Sequence, residues 1–243
     1  STAGLCSATA SWTAPTSNDN CGVLSSTSTN SSGSSFPVGV TTVTYTLTEV
    51  NGNVTTQSFT VTVFDTEAPV IIGCPSTQTV CETDTVVYTT PTATDNCSGV
   101  TVTQIAGLPS GSLFPVGTTL CTFRATDSSG NITNCNFNII VNANPATTFN
   151  LTTDTLCDYN GPLTLTGGSP AGGIYSGTAV TGGSFSPSIA GLGTYTLTYT
   201  FTNASGCSAG ATDVIVVDAC VGVEEFSTNN QVKLYPNPTN GFL

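Results

Sequence analysis

The chain has 243 residues, a formal net charge of −12, ten cysteines, no histidine and no methionine. Charged residues make up 7% of it, where an ordinary soluble domain has about a quarter, and the whole basic inventory is Arg124 and Lys233. Binding to nucleic acid or to anionic membrane surfaces needs Lys and Arg to displace counterions, so both are excluded. Without histidine no Ser-His-Asp or Cys-His relay can be built, and only carboxylates and thiols remain as catalysts. No apolar run approaches the ~20 residues of a membrane span, so no membrane insertion is expected. Ser1 opens directly into polar sequence with no signal-peptide pattern. The even cysteine count without a CxxC pair reads as disulfides made in an oxidising compartment. A processed, exported chain, extracellular or at the cell surface, is expected.

In chain order, the first recognisable segment is Trp12-Thr13-Ala14-Pro15-Thr16 with Asp19-Asn20-Cys21-Gly22. Phe36-Pro37-Val38-Gly39 then opens a strand in which Val43, Tyr45 and Leu47 alternate with Thr42, Thr44, Thr46 and Thr48. A period of two puts the apolar side chains inward, and β-branched threonine holds the outer face without charge. The turn Glu49-Val50-Asn51-Gly52-Asn53 leads into a second alternating strand ending near Val63, which makes a β-hairpin.

The same punctuation returns about 78 positions later: Tyr88-Thr89-Thr90-Pro91-Thr92, Asp95-Asn96-Cys97-Ser98, Phe114-Pro115-Val116-Gly117, the turn Asp127-Ser128-Ser129-Gly130-Asn131 and a strand to Val141. One module is used twice. A third unit begins near Pro145, with strands at Leu163 to Thr166, Thr194 to Phe201 and Val214 to Val217 and Gly-rich turns at Gly172-Gly173 and Gly182-Gly183. Short alternating strands without helical periodicity predict an all-β fold of tandem immunoglobulin-like antiparallel β-sandwiches.

Residues 67–141 carry Glu67-Ala68-Pro69, Cys74-Pro75, Asp95-Asn96-Cys97, Phe114-Pro115-Val116-Gly117, Asp127, Gly130-Asn131 and Cys135-Asn136-Phe137. This set resembles a complete hyalin repeat (HYR) module, and residues 1–66 resemble the same module without its first strand. The resemblance implies an immunoglobulin-like sandwich of extracellular, often adhesive, multidomain proteins with no catalytic activity of its own. Residues 145–220, through Pro170-Ala171-Gly172-Gly173, Phe185-Ser186-Pro187 and Asn203-Ala204-Ser205-Gly206-Cys207, are similar to immunoglobulin-like or PKD-like modules of Bacteroidota surface proteins. Leu234-Tyr235-Pro236-Asn237-Pro238-Thr239-Asn240-Gly241 resembles the opening strand of the type A sorting domain read by the type IX secretion system. The expected domains are thus 1–66 and 67–143, both HYR-like, 144–220, and 221–243 as a linker with the start of a sorting domain.

Cys6 and Cys21 in the first copy align with Cys81 and Cys97 in the second. Residues kept together in both copies are natural partners, so Cys6 is expected with Cys21 and Cys81 with Cys97. The HYR resemblance implies a further bridge between Cys74 and Cys135. In the third unit, sandwich topology puts the start of the second strand and the end of the last at one pole, which favours Cys157 with Cys220; Cys157 with Cys207 competes. Cys121 shares a strand face with Phe123 and Ala125 and reads equally as a buried free thiol or as half of a bridge. No cysteine is expected to be catalytic, since no histidine or basic cluster could lower its pKa.

The fourteen acids are dispersed, and their default role is solvation. Asp65 and Glu67, however, lie in the joint between the first two units, and Asp95, Asp127 and Asn131 lie in loops that a sandwich would present to it. Hard oxygen donors converging on a linker are what Ca²⁺ selects, so these five are the candidate calcium ligands; no other cofactor is expected. Carboxylate pairs also run glycoside hydrolysis, but the aromatic residues, 8% of the chain, sit in alternating strand positions rather than in a cleft. Asp84-Thr85-Val86 and Asp154-Thr155-Leu156 resemble Bacteroidota O-glycosylation acceptors at Thr85 and Thr155, or are ordinary loop threonines.

The function expected is a non-catalytic structural or adhesive module array of a secreted cell-surface protein, a stalk or filament exported through Leu234, Tyr235, Pro236, Asn237, Pro238, Asn240 and Gly241. The alternative is a spacer or carbohydrate-binding appendage of a large secreted hydrolase. Expected partners are the secretion machinery, neighbouring modules or copies of the chain, and surface glycans. A first unit without its first strand would expose a sheet edge, which Gln231-Val232-Lys233-Leu234-Tyr235 of another copy could fill by strand addition.

Overall fold

Threonine alternating with apolar residues can satisfy only one backbone geometry, and strands dominate accordingly. The computed structural model describes residues 1–17, 19–20 and 22–220. Its elements are β-strands apart from one helical turn, Pro187–Ala190. Two units make up the described residues: Ser1–Val80 with Asp84–Val141, and Cys81–Thr83 with residues 142–220.

In the first unit Gly39–Glu49 pairs antiparallel with Val54–Val63, and Gly117–Thr126 pairs antiparallel with Ile132–Asn142. Gly39 opposes Val63 and Gly117 opposes Val141, so the two hairpins share one register. The repeated Phe-Pro-Val-Gly motif explains this. Phe36 and Phe114 are buried anchors, while Gly39 and Gly117 take φ of +115° and +111°, a region that a Cβ disfavours. A fixed anchor and a fixed turn set the phase of every residue that follows.

The first copy adds Val23–Ser28 to its hairpin, giving a three-stranded sheet with Val54–Val63 at one edge, and pairs Ser7–Thr9 with Ser35–Pro37. The second copy builds four strands, with Thr101–Ala106 beside Gly117–Thr126 and Gln78–Cys81 beside Ile132–Asn142. Two smaller ladders, Val70–Ile72 with Thr92–Thr94 and Thr85–Val86 with Ser112–Leu113, complete it. Its core follows the alternation: Cys121, Phe123 and Ala125 on one strand and Cys135, Phe137, Ile139 and Val141 on the next are buried. The Tyr88 ring stands edge-on to Phe137 at 5.1 Å and to Phe123 at 6.1 Å, a geometry that adds to the gain from burial. Arg124, on the outer face of Gly117–Thr126, donates from Nε to Asn134 Oδ1 across the strand pair at 3.2 Å. The first copy has a smaller core of Phe36, Val43 and Val63. Trp12 leans on Phe36 and Phe59 and donates from Nε1 to the Tyr45 hydroxyl at 2.7 Å.

In the second unit the long hairpin Gly193–Thr202 and Ser208–Asp218 is flanked by Ile174–Ser176 and by Thr155–Cys157. Thr155–Cys157 runs parallel to Ser208–Asp218, a departure from the antiparallel expectation. Parallel neighbours need a long crossover, and here nearly the whole sandwich separates the two strands in sequence. The helical turn also departs from the expectation of strands without helical periodicity. Four residues are too few to display a helical period, although Pro187 at its first position, where the missing N–H costs nothing, is a fitting start. Phe149, Leu165, Phe185, Leu197, Tyr199, Ile215 and Val217 form the core.

Candidate functional site

Asp65 follows the last strand of the first HYR-like copy and is only 7% exposed. Its backbone carbonyl accepts from Asn131 Nδ2 at 3.1 Å. Its Oδ1 accepts from the Ser1 hydroxyl at 3.2 Å, the Glu67 N–H at 3.3 Å and Asn96 Nδ2 at 3.5 Å. Asp95 follows the strand Thr92–Thr94, and its Oδ2 accepts the Cys97 N–H at 2.9 Å. Asn96 Nδ2 also donates to the Leu5 carbonyl at 3.1 Å. Both carboxylates are therefore anchored through one oxygen. The other oxygens, Asp65 Oδ2 and Asp95 Oδ1, are buried without a hydrogen-bond partner, and so is Asn96 Oδ1. Carboxylate oxygens of Asp65 and Asp95 and the sulfur of Cys97 lie within 4.8 Å of one another; that sulfur is bridged to Cys6 and has no thiolate to offer.

Of the five candidate ligands read from sequence, Asp65 and Asp95 converge. Glu67 Oε2 accepts the Gly4 N–H at 2.9 Å. Asp127 Oδ1 accepts the N–H groups of Ser129 and Asn131 at 2.9 and 2.8 Å, and its Oδ2 accepts from Asn131 Nδ2 at 2.8 Å. Asp127 thus organises its own hairpin turn, and Asn131 links that turn to the Asp65 carbonyl. Asn96 is the residue that sequence reasoning passed over. Its position beside Asp95, repeated as Asp19-Asn20, was the available signal.

Burial alone would push the Asp127 carboxyl up, but the hydrogen bonds from Asn131, Ser129 and Gly130 outweigh it and hold the group below the usual carboxylate range. The sign follows: a folded pKa below the unfolded value contributes stability that is present above the unfolded pKa and lost as pH falls through the folded one. Asp127→Asn should therefore destabilise the chain near pH 7, and the gap to wild type should close on acidification below about pH 4. Urea denaturation at a series of pH values reads this, and a gap that stays constant with pH would refute it.

The cysteine pairing expected from repeat alignment is corrected by the structure. Cys6 is bridged to Cys97, with Cα atoms 4.8 Å apart, and Cys81 to Cys207, with Cα atoms 5.6 Å apart. Cys6 leads into Ser7–Thr9 and bridges to the loop that carries Cys97, whereas Cys81 ends the edge strand Gln78–Cys81 and bridges to Cys207. Cys21 lies outside the described residues. The structure joins Cys74 to Cys135 and Cys157 to Cys220. Cys207, the competing partner for Cys157, is used by Cys81 within the second unit. Cys121 is a free thiol, fully buried, and burial pushes it up, away from the thiolate.

Thr85 and Thr155 are both exposed. The sorting-signal residues Leu234 to Gly241 and the strand donor Gln231 to Tyr235 lie outside the described residues. On the first copy, Trp12, Pro15, Tyr45, Gln57 and Phe59 line an open groove of about 300 Å³. No helix among the described residues is long and apolar enough to cross a membrane.

The HYR domain family model matches residues 2–63 and again 64–141. Hyalin of Strongylocentrotus purpuratus is 40% identical over 129 residues, which is 49% of this chain and 11% of that protein. The "Sushi, von Willebrand factor type A, EGF and pentraxin domain-containing protein 1" of Rattus norvegicus is 34% identical over 145 residues, 57% of this chain and 4% of that protein. The chain therefore spans a small fraction of these relatives' length. Among solved structures, "Crystal Structure of Mouse Protocadherin-24 EC1-3" superposes with a TM-score of 0.33 at 16% identity, covering 76% of this chain and 84% of that one.

Proposed function

The chain belongs to the HYR domain family, and we propose that it is a non-catalytic structural and adhesive array within a secreted, cell-surface protein. The observation that carries this reading is the bridge Cys6–Cys97, which staples two tandem HYR copies into one unit. A covalent tie between consecutive modules suits a load-bearing stalk better than a flexible chain of domains. The outward threonine rows support the same use, since Thr44 and Ser58, and Thr202 and Ser208, meet through their hydroxyls across strand pairs without any charge. Export through Leu234 to Gly241, and passage through a type IX secretion system in a Bacteroidota host, belong to this proposal. So do contact with further copies along the edge strand Val54–Val63 and glycans on Thr85 and Thr155.

Surface protease shaving of the source cells tests it. Peptides of this chain should be released from intact cells, and deleting residues 234–241 should abolish that release. Retention of the full-length chain inside the cell would overturn the reading.

A second reading, carbohydrate binding, is favoured by one feature. The groove of Trp12, Tyr45, Gln57 and Phe59 sets aromatic rings beside an amide, as sugar recognition requires. Quenching of Trp12 fluorescence by oligosaccharides, absent in Tyr45→Ala, would support it.

A further inference from the structure

We propose that the joint of the first unit binds one calcium ion through Asp65, Asp95 and Asn96. Three side-chain oxygens there, Asp65 Oδ2, Asp95 Oδ1 and Asn96 Oδ1, are buried and have no hydrogen-bond partner. A buried polar atom without a partner is costly, and a carboxylate oxygen more so. Two carboxylates with oxygens within 4.8 Å also repel each other. Among the described residues the one basic side chain, Arg124, donates to Asn134 instead, so no Lys or Arg side chain there neutralises the pair. A cation from solution would.

The donor set identifies it. All three bare atoms are hard oxygens, the adjacent sulfur is locked in the Cys6–Cys97 bridge, and the chain has no histidine, so zinc and copper are disfavoured. Calcium accepts carboxylate and amide oxygens in flexible geometry with water filling its shell, whereas magnesium demands a tighter octahedron. Two carboxylates and one amide predict a Kd in the range of extracellular modules, about 10⁻⁴ to 10⁻³ M. The anchored oxygens fit the same purpose. Cys97, Glu67 and Ser1 hold one oxygen of each carboxylate, and Asn131 holds the Asp65 backbone, so the free oxygens are presented rather than mobile. Asp65 comes from the end of the first copy's last strand and Asp95 and Asn96 from a loop of the second, so the ion would tie the two copies together beside their disulfide. Ion binding here is independent of adhesion, and the test reads the ion alone.

The full chain, stripped with EDTA, is titrated with CaCl₂ by calorimetry and melted with and without about 10 mM CaCl₂. Wild type should show one saturable site and a melting rise of roughly 4–8 °C for the first unit, with MgCl₂ giving much less. Asp95→Asn should weaken calcium at least tenfold, yet melt no lower than wild type in EDTA, because it removes a like charge. Asp154→Asn, an exposed site in the second unit, should bind as wild type. If Asp95→Asn does not fold, Asn96→Ala and calcium-dependent hydrogen-exchange protection of residues 65–67 and 95–97 in wild type replace it. No saturable heat, an equal response to magnesium, unchanged affinity in the Asp95 and Asn96 variants, or no protection of those segments would each overturn the proposal.

Discussion

Replacing Cys6 and Cys97 together by alanine is expected to lower the unfolding free energy of the first unit by about 3 to 5 kcal/mol. The two residues are separated by 91 positions, and a cross-link over so long a loop removes much of the freedom of the unfolded chain. The ends it joins are otherwise lightly held: Asn96 Nδ2 to the Leu5 carbonyl at 3.1 Å and Gly4 N–H to Glu67 Oε2 at 2.9 Å, both exposed. Urea denaturation followed by Trp12, the chain's single tryptophan and a member of the same unit, measures the loss. A non-reducing digest of wild type should yield the Cys6 and Cys97 peptides as one species. A loss below about 1 kcal/mol, or a digest joining Cys6 to Cys21, would refute the assigned connectivity.

In the second unit Tyr199→Ala should cost about 3 to 5 kcal/mol, enough to unfold a domain of ordinary stability. The side chain is 2% exposed and packs on Tyr175 at 4.8 Å and Phe149 at 6.2 Å. Its hydroxyl accepts the Gly173 N–H at 2.7 Å and donates to the Pro170 carbonyl. Tyr199→Phe keeps the ring and strands those two backbone groups, so a loss of about 1 to 3 kcal/mol is expected. The ring also dictates its neighbour: a Cβ on Gly173 would lie 2.4 Å from Tyr199 Cζ and 2.5 Å from the Thr200 carbonyl oxygen. Circular dichroism during thermal melting of the three proteins separates ring volume from hydrogen bonds. Equal losses for the alanine and phenylalanine variants would show that the ring's packing contributes little.

What was legible in the sequence is what period two and punctuation determine. Phe36-Pro37-Val38-Gly39 and its copy gave away both hairpins and their common register, and the Val43, Tyr45, Leu47 alternation gave the all-β class. The cysteine pairs were less legible. Aligning Cys6 with Cys81 assumed that equivalent positions have equivalent partners, whereas partner choice is decided by which segments meet in space. Cys97 meets the chain's first residues through Asn96 and Leu5, a contact with no periodic trace. The joint was half legible: acids near a linker mark the place, but only coordinates separate Asp127, whose oxygens serve its own turn, from Asp65 and Asp95, which each keep one oxygen free. Thr155–Cys157 shows a similar limit, since a three-residue strand carries no information about the direction of its neighbour.

Proteases that cut after basic residues have two sites in the whole chain, Arg124 and Lys233. Arg124 lies in Gly117–Thr126, between Thr101–Ala106 and Ile132–Asn142, where the scissile peptide is hydrogen-bonded into a sheet from both sides. Cutting there requires the strand to leave the sheet, so digestion at Arg124 is slowed in proportion to how rarely the module opens. Among the described residues a surface nearly empty of lysine and arginine thereby offers trypsin-type proteases one point, and that one is held inside a sheet, a useful property wherever secreted proteases are abundant.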